Sequence, residues 1–191
     1  MRADRQKLVH AILFFHGNTR NWSKTKLYKL LHFFDFEIFS KTGSSPTGLR
    51  YYAWPMGPVP KTLQGEFRNP PADISAAMSI SFGPSDDDRR DGPLVIRPKI
   101  EFNEKLFTRR ELRVMRELAE LYYDSYADDM ILAAHDRKHP HGQPWHRVHE
   151  VEGRKGAEIP YELALERDGS ISKERAEELA DDAQMIAALA R

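Results

Sequence analysis

Apolar residues recur at helical spacing through the first forty positions of the chain. Leu8, Ile12 and Phe15 fall in one row beside Val9 and Leu13, which predicts a helix over residues 4–16 closed by Gly17-Asn18. The pattern restarts after Trp22-Ser23. Leu27, Leu30, Leu31, Phe34 and Ile38 form a second stripe, with Ser23 placed to cap it and Trp22 to staple onto Leu27. Phe33, Phe36 and Phe39 widen the apolar surface beyond one stripe, so this helix is expected to be packed on more than one side. Gly43, just past Lys41-Thr42, is the expected C-terminal stop. These two helices should form the heart of the core.

The period then changes. Residues 49–54 alternate, with Leu49, Tyr51 and Ala53 on one face and Arg50, Tyr52 and Trp54 on the other, which predicts a strand. Pro55-Met56-Gly57-Pro58-Val59-Pro60 carries three prolines in six positions. Each fixes φ and lacks an N–H, so the strand is expected to end there in a rigid loop. Pro60 suits the first position of a short helix over residues 61–68, which Asn69-Pro70-Pro71 would end. Two further strands, at residues 78–82 and 94–97, would form a hairpin with a long tip through Ser85-Asp86-Asp87-Asp88. Thr108-Arg109-Arg110-Glu111 has capping-box spacing, and Leu112, Met115, Leu118 and Tyr122 follow as a helical row.

A shorter helix is expected after Ser125, carrying Met130, Ile131, Ala133 and Ala134 to His135, and then an irregular loop over residues 136–156. The last helix, residues 173–190, sets Ala176, Leu179, Ala183, Ile186 and Ala190 along one face. It could pack on its own domain or serve as a handle for a partner. The fold class is therefore α+β: a predominantly helical core with a small antiparallel sheet or hairpin from residues 49–54, 78–82 and 94–97. Residues 1–168 are expected to be one domain, with residues 169–191 an amphipathic helix appended to it.

Charge and composition narrow the function. Twenty-nine basic residues balance 29 acidic ones, so no global positive field exists to attract a phosphate backbone, which argues against nucleic acid as the main partner. Arg20, Lys24, Lys26 and Lys29, and the acidic runs at residues 85–88 and 174–182, read as solvated faces. A helix-turn-helix at Gly17 to Asn21 is opposed by the length and all-round aromatic character of the helix after it. The absence of cysteine excludes disulfides, thiolate metal sites and thiol catalysis. No apolar run approaches the ~20 residues that span a bilayer, and no export signal opens the chain. A soluble, cytoplasmic protein is expected.

Candidate chemistry centres on His135, His139, His141, His146 and His149, five of the eight histidines, with Asp128, Asp129, Asp136 and Glu150 nearby. Imidazole and carboxylate are the ligands for a transition metal where thiolates are lacking. No HExxH motif is present, however, and Pro140, Gly142 and Pro144 oppose a continuous helix. No cofactor or metal is expected. A metal-dependent hydrolase with His135, His139 and His141 as ligands stays as the alternative from a different class. Asp128-Asp129 point about 100° apart on a helix and suit capping better than acid–base work. No nucleophile elbow, P-loop or dinucleotide fingerprint occurs, so the chain is expected not to be an enzyme. Tyr51, Tyr52 and Trp54 beside the proline-rich segment are recognition material on one face and core on the other.

Three stretches carry a family resemblance: Lys29-Leu30-Leu31-His32-Phe33-Phe34-Asp35-Phe36-Glu37, Lys41-Thr42-Gly43-Ser44-Ser45-Pro46-Thr47-Gly48, and Tyr51 through Pro60. In order and spacing they resemble the Panacea domain of SocA-like antitoxins. Phe107-Thr108-Arg109-Arg110-Glu111-Leu112, Ala127-Asp128-Asp129-Met130, His135 and Pro144-Trp145 are similar to the family's later segments, so the likeness covers most of residues 5–165. His139-Pro140-His141-Gly142-Gln143 lengthens a loop relative to that pattern. The resemblance implies an antitoxin that neutralises a cognate protein toxin by direct binding, with adaptor-type delivery of the toxin to a protease as the alternative. Tyr52, Trp54, Met56 and Pro58 are the expected partner-binding residues. His135, at a helix end, either has a family role or satisfies terminal carbonyls.

Overall fold

The computed structural model describes residues 3–84, 92–166 and 169–189. Helix α1 (Ala3–Asn18) and helix α2 (Lys24–Thr42) follow the two apolar stripes. Ser23 is extended, and its hydroxyl accepts the Lys26 N–H at 3.1 Å, so the N-cap forms as expected. Trp22 packs edge-on against His16 of α1, with ring centroids 4.8 Å apart. Helix α2 is the axis of the core. It packs against α1, the later helices Arg109–Leu121 and Ala127–His135 and the 3₁₀ turn Tyr161–Glu166, which is why Tyr28, Phe33, Phe34 and Phe36 are buried on different sides of it.

Gly43 closes α2 at φ 69°, in the left-handed region, and its N–H returns to Phe39 O at 2.8 Å. A Cβ at Gly43 would lie 3.0 Å from the Cα of Ala176. Gly43→Ala is therefore expected to cost about 1–2 kcal/mol from the backbone alone and to unseat the first turn of the last helix. Thermal melting and limited proteolysis between residues 169 and 189 would read both effects.

The proline-rich segment is not a loop. Strand β1 (Tyr52–Trp54) turns at Pro55-Met56 and pairs with strand β2 (Gly57–Val59), setting Tyr52 opposite Val59, Ala53 opposite Pro58 and Trp54 opposite Gly57. Pro58 is tolerated because the backbone of Ala53, its partner, is engaged on the other side. Ala53 N–H donates to Ala157 O at 2.8 Å, and Ala53 O accepts Gly156 N–H at 2.7 Å. The expected inner face is buried at Leu49, Tyr51 and Ala53, while Tyr52 and Trp54 are half-buried.

Helix α3 (Lys61–Arg68) follows, with Pro60 just outside it as the N-cap rather than inside its first turn. A short helix, α4 (Ala72–Ala77), precedes β3 (Met78–Phe82) and is too brief to show a period in the sequence. β3 pairs with β4 (Leu94–Pro98), Ile80 opposite Ile96. The acidic tip expected at residues 85–88 lies outside the described residues.

Two separate two-stranded sheets form in place of the one expected. β1 cannot accept a further strand, because residues 156–159 occupy its second edge: Ile159 N–H donates to Tyr51 O at 2.8 Å, and Tyr52 bridges Glu158.

Helix α5 (Arg109–Leu121) carries the reciprocal capping box between Thr108 and Glu111. Helix α6 (Ala127–His135) ends at the expected histidine. The segment expected to be irregular instead contains α7 (Gln143–His146), which continues into the π-helical turn Arg147–Val151. Pro144 sits in the first turn, where its missing N–H is no loss, and the buried Trp145 and Val148 anchor the segment to the core. In helix α8 (Lys173–Leu189), Ala176 is buried and Leu179 half-buried. The side chains of Ala183, Ile186 and Ala190 lie outside the described residues. Among the described residues, no helix is long and apolar enough to cross a membrane.

Candidate functional site

The outer face of the β1–β2 hairpin carries the aromatic residues singled out from the sequence. Tyr52 and Trp54 project to the same side, and Lys61 at the start of α3 lies over both rings, its Nζ 3.9 Å from the Tyr52 centroid and 6.0 Å from that of Trp54. Met56, at the turn, is 59% exposed. Arg50 grips Glu158 beside them through two hydrogen bonds. Pro58 departs from the expectation. It is buried, facing the interior rather than a partner, and its carbonyl accepts a hydrogen bond from Lys29 Nζ at 3.0 Å.

Beneath the hairpin lies a support that the sequence did not flag. Lys29 is fully buried in α2, and burial lowers its amine to about 7. Its Cε would lie 2.8 Å from a Cβ at Gly57, a residue held at φ 92°, so glycine is required there for both space and conformation. Trp145 of α7 donates its indole N–H to Trp54 O at 2.9 Å. That indole is clamped between two imidazoles, His135 at 3.8 Å and His149 at 4.3 Å, both nearly parallel to it.

A second buried network fixes the segment that feeds β1. Asp35 of α2 is completely buried and accepts four hydrogen bonds: from Thr47 N–H at 3.0 Å, Thr47 Oγ1 at 2.5 Å, Tyr51 OH at 2.6 Å and Ser45 Oγ at 2.9 Å. Burial outweighs these donors and pushes the carboxyl up to about 6. The same burial, with Asp35 nearby, raises the Tyr51 phenol. Tyr161 OH donates to Leu49 O at 2.6 Å and joins the cluster through Ser45. The chain is thus held on both sides of Tyr51 before it enters the hairpin.

Four of the five clustered histidines part into two aromatic groups. His141 lies on Phe33 at 4.6 Å with His139 beside it at 4.8 Å, and His135 and His149 flank Trp145. Among the described residues, no three histidine, aspartate or glutamate side chains are grouped to hold a metal ion. The geometry therefore does not assemble the ligand set of His135, His139 and His141. Nor does His135 close the helix through its Nε2, which is buried without a partner. Asp129 caps α6 by accepting Tyr126 N–H at 2.7 Å, in line with the capping role expected of that acidic pair.

Lys29, Asp35 and Trp145 were missed as site-building residues. The signal that could have found the first two is the set of polar residues Lys26, Lys29, His32 and Asp35, spaced three apart within a stretch, residues 26–36, whose other positions are all apolar or aromatic. A polar group on such a helix must find a buried partner.

The architecture is that of a helix-dominated α+β domain presenting an aromatic hairpin braced from below. A family model described as "Antitoxin SocA-like, Panacea domain" matches residues 27–146, and the chain belongs to that family. The match covers most of the 5–165 anticipated; it runs from α2 through α7 and contains the hairpin, Lys29, Asp35 and Trp145. No curated protein and no solved structure matches the chain.

Proposed function

We propose that this protein is an antitoxin that neutralises a cognate protein toxin by binding it directly, and that the outer face of the β1–β2 hairpin is the contact surface. Membership of an antitoxin-like family supports the first part. The observation that carries the second is the pairing of half-exposed Tyr52 and Trp54 with exposed Met56 on a hairpin whose backbone is tied to Trp145, Lys29 and residues 156–159. A surface held in place beforehand loses little conformational entropy on binding, and large rings bury much area for few rotatable bonds. Neutralisation by occlusion needs no catalytic group.

Tyr52→Ala and Trp54→Ala are each expected to weaken toxin binding by about thirtyfold or more, the loss typical of a true anchor, while the melting temperature stays near that of the parent. Growth rescue against the co-expressed toxin, together with a thermal melt of each variant, checks this. Full rescue by both variants at normal folded concentration would remove the hairpin from the interface. Toxin half-life in the same cells separates occlusion from delivery to a protease, because occlusion leaves turnover unchanged.

A further inference from the structure

Two basic groups, Lys29 and His135, support the hairpin from below through different partners, and Lys29 acts electrostatically on His135. Lys29 Nζ donates to Pro58 O, and among the described residues this is its one hydrogen bond. A neutral amine suits that setting, whereas an ammonium would bury two protons without acceptors. The Cβ of Ala134, the residue before His135, lies 3.4 Å from the point that a Cβ on Gly57 would occupy, so the end of α6 borders the same spot. The Nε2 of His135 is buried with no partner, and a proton placed there would meet no acceptor. The charged and titratable groups acting on His135 are Lys29 of α2 and His149 and Glu150 of the π-helical turn; only Glu150 favours its protonation. His135 in turn lies flat on Trp145, whose indole N–H holds Trp54 O.

We propose that Lys29 and His135 form an acid-sensitive latch beneath the hairpin. With both groups neutral, Trp145 and Lys29 hold β1 and β2 in the conformation described; with both protonated, like charges and unaccepted protons release Trp145 from Trp54 and loosen the strand pair. Burial lowers Lys29 from 10.5 to about 7, and burial, Lys29 and His149 lower His135 from 6.5. Both groups therefore bind protons more readily in the released state, and protons favour release. The Lys29 contribution to the held state is full above 10.5 and is lost as the pH falls to about 7. The His135 contribution is full above 6.5 and is lost as the pH falls through its lower value. The consequence for binding, weaker neutralisation in acid, rests on the hairpin being the toxin-facing surface.

Amide hydrogen exchange on the full chain, between pH 8 and 5.5 and corrected for intrinsic rates, tests the latch. Protection of the Trp54 and Val59 amides is expected to fall about tenfold or more on acidification, one unit of pKa difference being a factor of ten. The amide of Ile12 in α1 should hold its protection and so report global stability. The indole N–H resonance of Trp145, one of three tryptophans, should move over the same range. Lys29→Met keeps the apolar stem and His135→Phe keeps a stacking ring, and the double variant should show neither change; if it does not fold, each single variant should lose part of the transition. Constant protection in the parent, or an undiminished transition in the variants, would overturn the latch. Toxin affinity over the same range is read separately. Flat affinity alongside a working latch would remove the hairpin from the interface and leave the latch standing.

Discussion

Asp35→Ala is expected to destabilise the protein by about 3–5 kcal/mol, the range for stripping one partner from a buried charged network. Four donors lose their acceptor at once, and three of them, the Thr47 N–H, the Thr47 hydroxyl and the Tyr51 hydroxyl, are buried away from solvent. Asp35→Asn should fall between parent and alanine, because the amide retains one acceptor oxygen but points its NH₂ group at an existing donor.

A pH signature separates this network from simple packing. The carboxyl is raised from 3.8 to about 6 in the folded protein, so the folded state binds a proton more readily than the unfolded chain between those values. The stability it contributes is fully present below 3.8 and is lost as the pH rises through about 6. Urea denaturation of parent and Asp35→Asn at pH 4 and pH 7 measures both effects. A loss under 1 kcal/mol for alanine, or an unchanged pH slope for asparagine, would show that the four contacts are not what fixes the segment entering β1.

Lys26→Met is expected to cost about 2–4 kcal/mol, since each hydrogen bond from a charged donor contributes ~1.5–3 kcal/mol and the freed carbonyls recover part of it from water. The side chain is fully buried, and its ammonium donates to Arg20 O at 2.6 Å, Ser125 O at 2.8 Å and Tyr123 O at 3.0 Å, so all three protons are used. These carbonyls belong to the α1–α2 link and the α5–α6 link, which a backbone hydrogen bond from Arg20 N–H to Tyr123 O also joins. Methionine keeps the stem packed and removes only the charge, so the loss reports the clamp rather than a cavity. Equilibrium unfolding gives the magnitude, and faster amide exchange confined to residues 19–23 and 122–126 locates it. A change within about 0.5 kcal/mol, the usual range for a surface substitution, would dismiss the clamp.

Elements with local causes are legible in the chain before it folds. The stripe from Leu27 to Ile38, the Ser23 cap, the Gly43 stop and the Thr108–Glu111 box each depend on residues within a turn or two of one another, and each forms. The inward face of Leu49, Tyr51 and Ala53 was legible for the same reason, because a period of two places alternate side chains on opposite faces whatever lies beyond them.

Features that need partners distant in the chain emerge only when the elements pack together. Pro58 can stand in a strand because Gly156 and Ala157, about a hundred positions later, take up the backbone of its neighbour Ala53. Lys26, Lys29 and Asp35, charged residues that composition would assign to a solvated surface, are buried because carbonyls and hydroxyls from distant segments converge on them. The histidines likewise became ring stacks once α6, α7 and α2 came together. A hydrophobic pattern states which face is buried; it does not state which donor will meet which acceptor there, and in this protein those meetings hold the hairpin in place.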